Sequence, residues 1–257
     1  EEPCISGKNG SGTVFFSNCN LKCIYCQNYE ISDEGYGKNI TIQELADIFI
    51  NQQEKGANNI NLVTPTMYVY HIIEALKIAK SRGLKIPIIY NTNGYEKEET
   101  IEMLNGYIDV YLPDLKYAQD KLAKKYSGVD NYFNTATKAI KKMYEQVGKP
   151  IFDEKGLIKK GVIIRHLILP NNMLNTKVIL KWIKNNLPQA YISIMAQYFP
   201  TYKAKQDRDL NRKINIKEYK EIENYLYELN LESGYIQELG EHEEEYVPNF
   251  KLENGTN

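Results

Sequence analysis

Short apolar runs alternate with segments of helical period along most of this chain, and that alternation narrows its possible folds more than any other feature. The run Thr13-Val14-Phe15-Phe16 is the first predicted strand. The segment 41–54 follows, opening on a Thr41-Ile42-Gln43-Glu44 capping box and stopped by Gly56. The pairing then recurs, with strands predicted over 60–63, 86–90, 108–112, 162–169 and 191–196. Helices are predicted over 67–81, 98–104, 134–146, 176–186 and 217–229. Such alternation implies an α/β chain with parallel strands joined by crossover helices. Six strand–helix units rather than eight predict an open, partial (β/α)6 TIM-like barrel. No linker divides the 257 residues, so one domain over 1–257 is expected, with a loop over 1–12 and an acidic, irregular tail over 238–257.

Composition excludes several classes of function. Lys and Arg total 32 against 33 Asp and Glu, a net charge of -1, which gives no general electrostatic reason to expect nucleic acid or an anionic membrane as partner. No apolar run reaches the roughly 18 residues of a membrane span, and no signal-peptide pattern opens the chain. A first residue of Glu1 rather than Met predicts a trimmed N-terminus. With 4 Cys in 257 residues a disulfide scaffold is excluded, and a reducing cytoplasm is the expected location.

Cys19, Cys23 and Cys26 are packed into the loop directly after the first strand. Three thiolates on one loop can hold three corners of an iron–sulfur cube. With no fourth cysteine following, one iron is left open to a ligand other than protein, as at reactive rather than structural metal sites. In a parallel barrel the reactive face lies at the strand C-termini. Polar clusters fall there: Thr64-Pro65-Thr66, Asn91-Thr92-Asn93-Gly94, Asp114-Leu115-Lys116 and Gln197 each follow a strand at once. They are predicted to line one pocket with the cysteine loop. Arg165 and His166 are neighbours on a strand, so only one of them can point into the barrel.

The spacing Cys-x3-Cys-x2-Cys, with Tyr25 before the last cysteine and Asn28 two places after it, resembles the radical S-adenosylmethionine superfamily. Within it, the run from Ser17 to Asn28 is most similar to the pyruvate formate-lyase activating enzymes and their relatives, a likeness that extends over nearly the whole chain. The resemblance implies a [4Fe–4S] cluster on Cys19, Cys23 and Cys26, with S-adenosylmethionine filling the fourth iron position. Reductive cleavage would then give methionine and a 5′-deoxyadenosyl radical that abstracts hydrogen. Tyr25 would lay its ring or backbone against the adenine, and Asn28 would bind the ribose or carboxylate. Thr64-Pro65-Thr66 stands where the family carries Gly-Gly-Glu for the cofactor ammonium; carbonyls and the Thr64 and Thr66 hydroxyls can accept in its place, or the segment is a plain strand-end turn.

Asn91-Thr92-Asn93-Gly94 resembles the family's Asp-Thr-Asn-Gly, with Asn91 replacing the Asp, and places Asn91 and Asn93 at the cofactor. Asp114-Leu115-Lys116 matches its Asp-Leu-Lys. By that likeness Lys116 pairs with the cofactor carboxylate, while Asp114 binds a monovalent cation or organises the site, a cation reading weakened by Asn91; a surface ion pair is the alternative. Arg165 matches a strand arginine expected to touch cofactor or substrate, and Gln197 a polar residue near the cofactor. His166 reads as a satisfied buried histidine, and His71 and His242 as non-catalytic. Cys4 is left open between a fourth ligand, a substrate-side thiol and an inert residue. The function implied is formation of a glycyl radical on a partner glycyl radical enzyme, with reduced flavodoxin or ferredoxin as electron donor. Two alternatives stand beside it: the same initiation acting on a small molecule or peptide, and a non-catalytic iron–sulfur or zinc protein.

Overall fold

The computed structural model describes residues 2–231, 233–240 and 250. In chain order the elements begin with α1 (Pro3–Ser6), β1 (Gly12–Phe15), α2 (Tyr29–Ser32), α3 (Ile42–Glu54) and β2 (Ile60–Val63). A 3-10 turn (Thr66–Tyr68) leads into α4 (Val69–Ser81), then β3 (Ile88–Thr92), α5 (Glu98–Met103), β4 (Val110–Pro113), α6 (Asp120–Ser127) and α7 (Tyr132–Val147). The rest are β5 (Ile151–Phe152), β6 (Ile158–Leu167), α8 (Met173–Asn186), β7 (Tyr191–Met195), a 3-10 turn (Tyr202–Gln206), α9 (Ile216–Glu228) and β8 (Gly234–Ile236).

The strands run β1-β2-β3-β4-β6-β7-β8 with every neighbouring pair parallel, and β5 pairs antiparallel with β6. Among the described residues the path does not close on itself, so β1 and β8 end the sheet and it is a partial barrel. This is the α/β architecture that the alternation predicts, with one parallel strand more than the six expected. β8 and β5 span three and two residues, too short for a period of two to register.

Side-chain alternation splits the core into two layers. Ile60, Leu62, Ile88, Tyr90, Tyr111, Val162 and Ile164 pack outward with the helices. Ile89, Val110, Leu112 and Ile163 point the other way, into the barrel, where Ile5 joins them. The segment 1–12 is therefore not all loop. Its helical turn α1 carries Ile5, fully buried, under the barrel floor, where burying such a side chain contributes about 1.5–3 kcal/mol. Asn59 Nδ2 donates to the Ile5 carbonyl at 2.8 Å and Asn58 Nδ2 to that of Ser6 at 2.6 Å. These bonds fix the turn at the end of the barrel opposite the cysteine loop. Most of the expected tail over 238–257, His242 included, lies outside the described residues. Among the described residues no helix is long and apolar enough to cross a membrane.

Candidate active site

The cysteine loop leaves the C-terminal end of β1 and is tied down by backbone bonds to the end of α6. Lys22 N–H donates to the Ser127 carbonyl at 3.0 Å and Ile24 N–H to that of Tyr126 at 2.9 Å. All three cysteines of the loop are free and half-buried, and each sulfur meets hydrogen-bond donors. Cys19 Sγ accepts from Leu21 N–H at 3.4 Å and from Asn93 Nδ2 at 3.3 Å. Cys23 Sγ lies 2.9 Å from Ser127 Oγ, and Cys26 Sγ lies 3.1 Å from Ser32 Oγ. Burial pushes the Cys23 thiol up to about 12, against the pull of the Lys116 charge, so a metal entering this loop would have to displace protons.

Among the described residues no group of three or more His, Cys, Asp and Glu is arranged to hold a single metal ion. A cube offers each thiolate its own iron, so its ligands need not converge on one point. A loop of three thiols, each supplied with donors suited to a thiolate, fits such a group.

The strand ends converge on the same face. Asp114, at the end of β4, takes Lys116 Nζ on Oδ2 at 2.6 Å and Arg165 Nε on Oδ1 at 2.9 Å. Arg165 also donates to Asn91 Oδ1 at 2.7 Å, which links β3, β4 and β6. The side chains of Lys116, Asp114 and Arg165 are only 17%, 14% and 19% exposed. Burial alone would push the Asp114 carboxyl up; the Arg165 and Lys116 charges outweigh it and hold the group below the usual carboxylate range. The Asp114–Lys116 pair thus belongs to a half-buried network with Arg165 rather than to a surface ion pair. With Lys116 on one oxygen and Arg165 on the other, Asp114 organises the site, the second of the two roles expected of it.

Arg165 points inward and His166 outward, as strand alternation requires. Burial drives His166 down to about 4; its Nδ1 lies 2.6 Å from the Leu115 carbonyl and its Nε2 2.9 Å from Thr176 Oγ1. It is a satisfied core histidine.

The other expected residues make contacts of their own. Tyr25 turns its ring into the core, edge-on to Tyr198, with its hydroxyl 2.6 Å from that of Tyr117. Of its ring and backbone, only the backbone is left to face a ligand. Asn93 spends its amide on Cys19 and on Asn20 Oδ1, so it braces the cysteine loop. Thr66 donates to Glu96 Oε1 at 2.7 Å, and Thr64 takes a left-handed φ of 59° while its N–H bonds the Asn91 carbonyl. Asn28 makes no side-chain cap on α2; its backbone N–H bonds the Cys26 thiol. Gln197 accepts from Gln237 Nε2 at 3.1 Å and joins the ends of β7 and β8. Cys4 sits in α1 with the barrel-floor cluster, at the wrong end to be a fourth ligand.

Three residues in the site escaped the sequence reading. Tyr132, opening α7, donates to the carbonyls of Asn93 and Asp114 at 2.8 and 2.9 Å and accepts from Lys116 N–H at 3.0 Å, stapling two strand-end loops. Glu96 is buried, takes three hydroxyls on Oε1 from Thr66, Tyr90 and Thr92, and has no hydrogen-bond partner on Oε2. Burial pushes its carboxyl up. Ser127 closes α6, whose signal was present: Leu122, Ala123 and Tyr126 share one face, and Gly128 follows in a left-handed cap.

The radical SAM superfamily, whose members carry a [4Fe–4S] cluster and S-adenosylmethionine, matches this chain over residues 13–153. An uncharacterised protein of Methanocaldococcus jannaschii is 35% identical over 226 residues, 84% of this chain and 61% of that protein. The pyruvate formate-lyase-activating enzyme of Clostridium pasteurianum is 26% identical over 172 residues, 65% of each chain. This chain therefore spans a little under two thirds of the length of these relatives. In fold it is similar to Streptococcus suis SuiB, solved bound to precursor peptide SuiA, with a TM-score of 0.61, 16% identity, and coverage of 88% of this chain and 48% of that one. From the matched family, the open parallel barrel and the three-cysteine loop at its mouth, this chain belongs to the radical SAM superfamily.

Proposed function

We propose that this chain reductively cleaves S-adenosylmethionine at a cluster held by Cys19, Cys23 and Cys26, and that the hydrogen it removes comes from a glycine of a partner glycyl radical enzyme. When bound, the cluster and S-adenosylmethionine supply the electron transfer and the abstracting radical; the chain supplies orientation and a water-poor site. The observation that carries this reading is the position of the Asp114–Lys116–Arg165 network at the same barrel mouth as the three thiols. Two cations against one carboxylate leave that network with a positive charge, which suits the carboxylate of an amino acid. Lys116, with donors to spare beyond Asp114, is the residue assigned to it.

The glycyl target rests on likeness to the pyruvate formate-lyase activating enzymes, on the Asp114-Leu115-Lys116 run and on Asn91-Thr92-Asn93-Gly94. A protein substrate needs an open approach. A cleft of about 740 Å³ borders β1 and the cysteine loop, with Phe15, Asn18, Tyr36, Ile40 and Tyr68 among its lining. The electron would come from reduced flavodoxin or ferredoxin.

The test incubates this chain with a glycyl radical enzyme made with α-deuterated glycine. Deuterium in the 5′-deoxyadenosine, with an organic radical signal on the partner, is the expected result. Cleavage without deuterium transfer would point to the small-molecule or peptide reading instead.

A further inference from the structure

The contact on Cys23 is unlike those on the other two cysteines, because it ends a continuous buried chain of hydroxyls. Tyr25 Oη lies 2.6 Å from Tyr117 Oη, Tyr117 Oη 2.6 Å from Ser127 Oγ, and Ser127 Oγ 2.9 Å from Cys23 Sγ. Tyr117 and Ser127 are fully buried and Tyr25 is 7% exposed, so water does not compete for these groups. Ser127 is also fixed relative to the loop, since its own carbonyl accepts the Lys22 N–H.

A thiolate ligand has no proton to give, so Ser127 must donate to the sulfur. Its oxygen then accepts from Tyr117, and Tyr117 in turn accepts from Tyr25. One assignment satisfies every member: Tyr25 to Tyr117 to Ser127 to Cys23. Each donated bond polarises the next, which strengthens the last. Hydrogen bonds to ligand sulfurs are among the levers that set a cluster's reduction potential. An added electron increases negative charge at the sulfurs, so a donor there stabilises the reduced form more than the oxidised one.

We propose that Ser127, oriented by Tyr117 and Tyr25, is a positioning residue that raises the reduction potential of the cluster on the cysteine loop. This rests on the reading above that Cys23 is a cluster ligand. The couple concerned takes up one electron from an external reductant; no bond breaks, and the Ser127 proton stays on its oxygen.

The test compares anaerobically reconstituted wild-type chain with Ser127→Ala, Ser127→Thr and Tyr117→Phe. Iron content and visible absorption are measured first, and a mediated redox titration is then followed by electron paramagnetic resonance. Ser127→Ala with full iron should lower the equilibrium constant for one-electron reduction by about threefold to tenfold, tenfold being about 59 mV. Tyr117→Phe, which leaves Ser127 in place, should shift it the same way by less, and Ser127→Thr should restore it. Should Ser127→Ala fail to hold iron, Tyr117→Phe decides. Unchanged potentials in iron-replete variants overturn the proposal. A wild-type chain that takes up no cluster overturns the ligand reading beneath it, a separate and visible failure.

Discussion

Asp114 holds two cations at once, and that determines what the barrel mouth can accept. With both carboxylate oxygens occupied by Lys116 and Arg165, the residue organises its neighbours and leaves an excess of positive charge for an incoming carboxylate. Lys116→Ala should therefore weaken S-adenosylmethionine binding while leaving the cluster intact. Loss of a charge-assisted bond of about 1.5–3 kcal/mol corresponds to roughly tenfold to a hundredfold in affinity. Equilibrium binding with iron content measured alongside checks it, and unchanged affinity removes Lys116 from the site. His166 gives a second prediction. Its folded value of about 4 lies below the ordinary 6.5, so between those pH values the unfolded chain binds a proton that the folded chain refuses. The stability from a neutral His166 is present above about pH 6.5 and is lost as pH falls toward 4, by about 3 kcal/mol in all. Denaturant titrations at pH 7, 5.5 and 4.5 should show that fall, and His166→Gln should flatten it. At this scale strand alternation made legible that Arg165 and His166 face opposite ways, and the family resemblance which of them points inward. The partners of Asn93 and Tyr25 were not, because Cys19 lies 74 residues from Asn93 and Tyr117 lies 92 from Tyr25.

Elements are held in place by their ends. The capping box of α3 is complete, with Glu44 N–H on Thr41 Oγ1 at 3.1 Å and Thr41 N–H on Glu44 Oε2 at 2.7 Å. Thr41→Ala should cost about 1 kcal/mol, a fall in Tm of about 2–4 °C for a chain of this size, read by thermal melts. Gly94 is a harsher case. Its φ is 80°, and a Cβ there would meet the Asp114 carbonyl oxygen at 2.2 Å. Gly94→Ala should destabilise by more than about 1 kcal/mol and displace the Asp114–Lys116 end of β4, lowering cofactor affinity as well as Tm. The Thr41 cap could be read from sequence because its partner lies three residues away. The α2 turn and β8 could not, since one helical turn or three strand residues owe their conformation to tertiary contacts.

Across the whole molecule, the open barrel brings loops from several strand ends to one face and closes the other with the Ile5 plug. Strict alternation carried the parallel order and the partial closure. It did not carry α6, the helix that ties the cysteine loop to the barrel and delivers Ser127 to Cys23. The measurement that bears most directly on a cluster-and-cofactor site at this mouth is anaerobic reconstitution with iron and sulfide, followed by reduction in the presence of S-adenosylmethionine. About four irons per chain and formation of 5′-deoxyadenosine are expected, with Cys23→Ser abolishing cleavage. A colourless, zinc-bound chain, or an iron-loaded one that leaves S-adenosylmethionine intact, would contradict it.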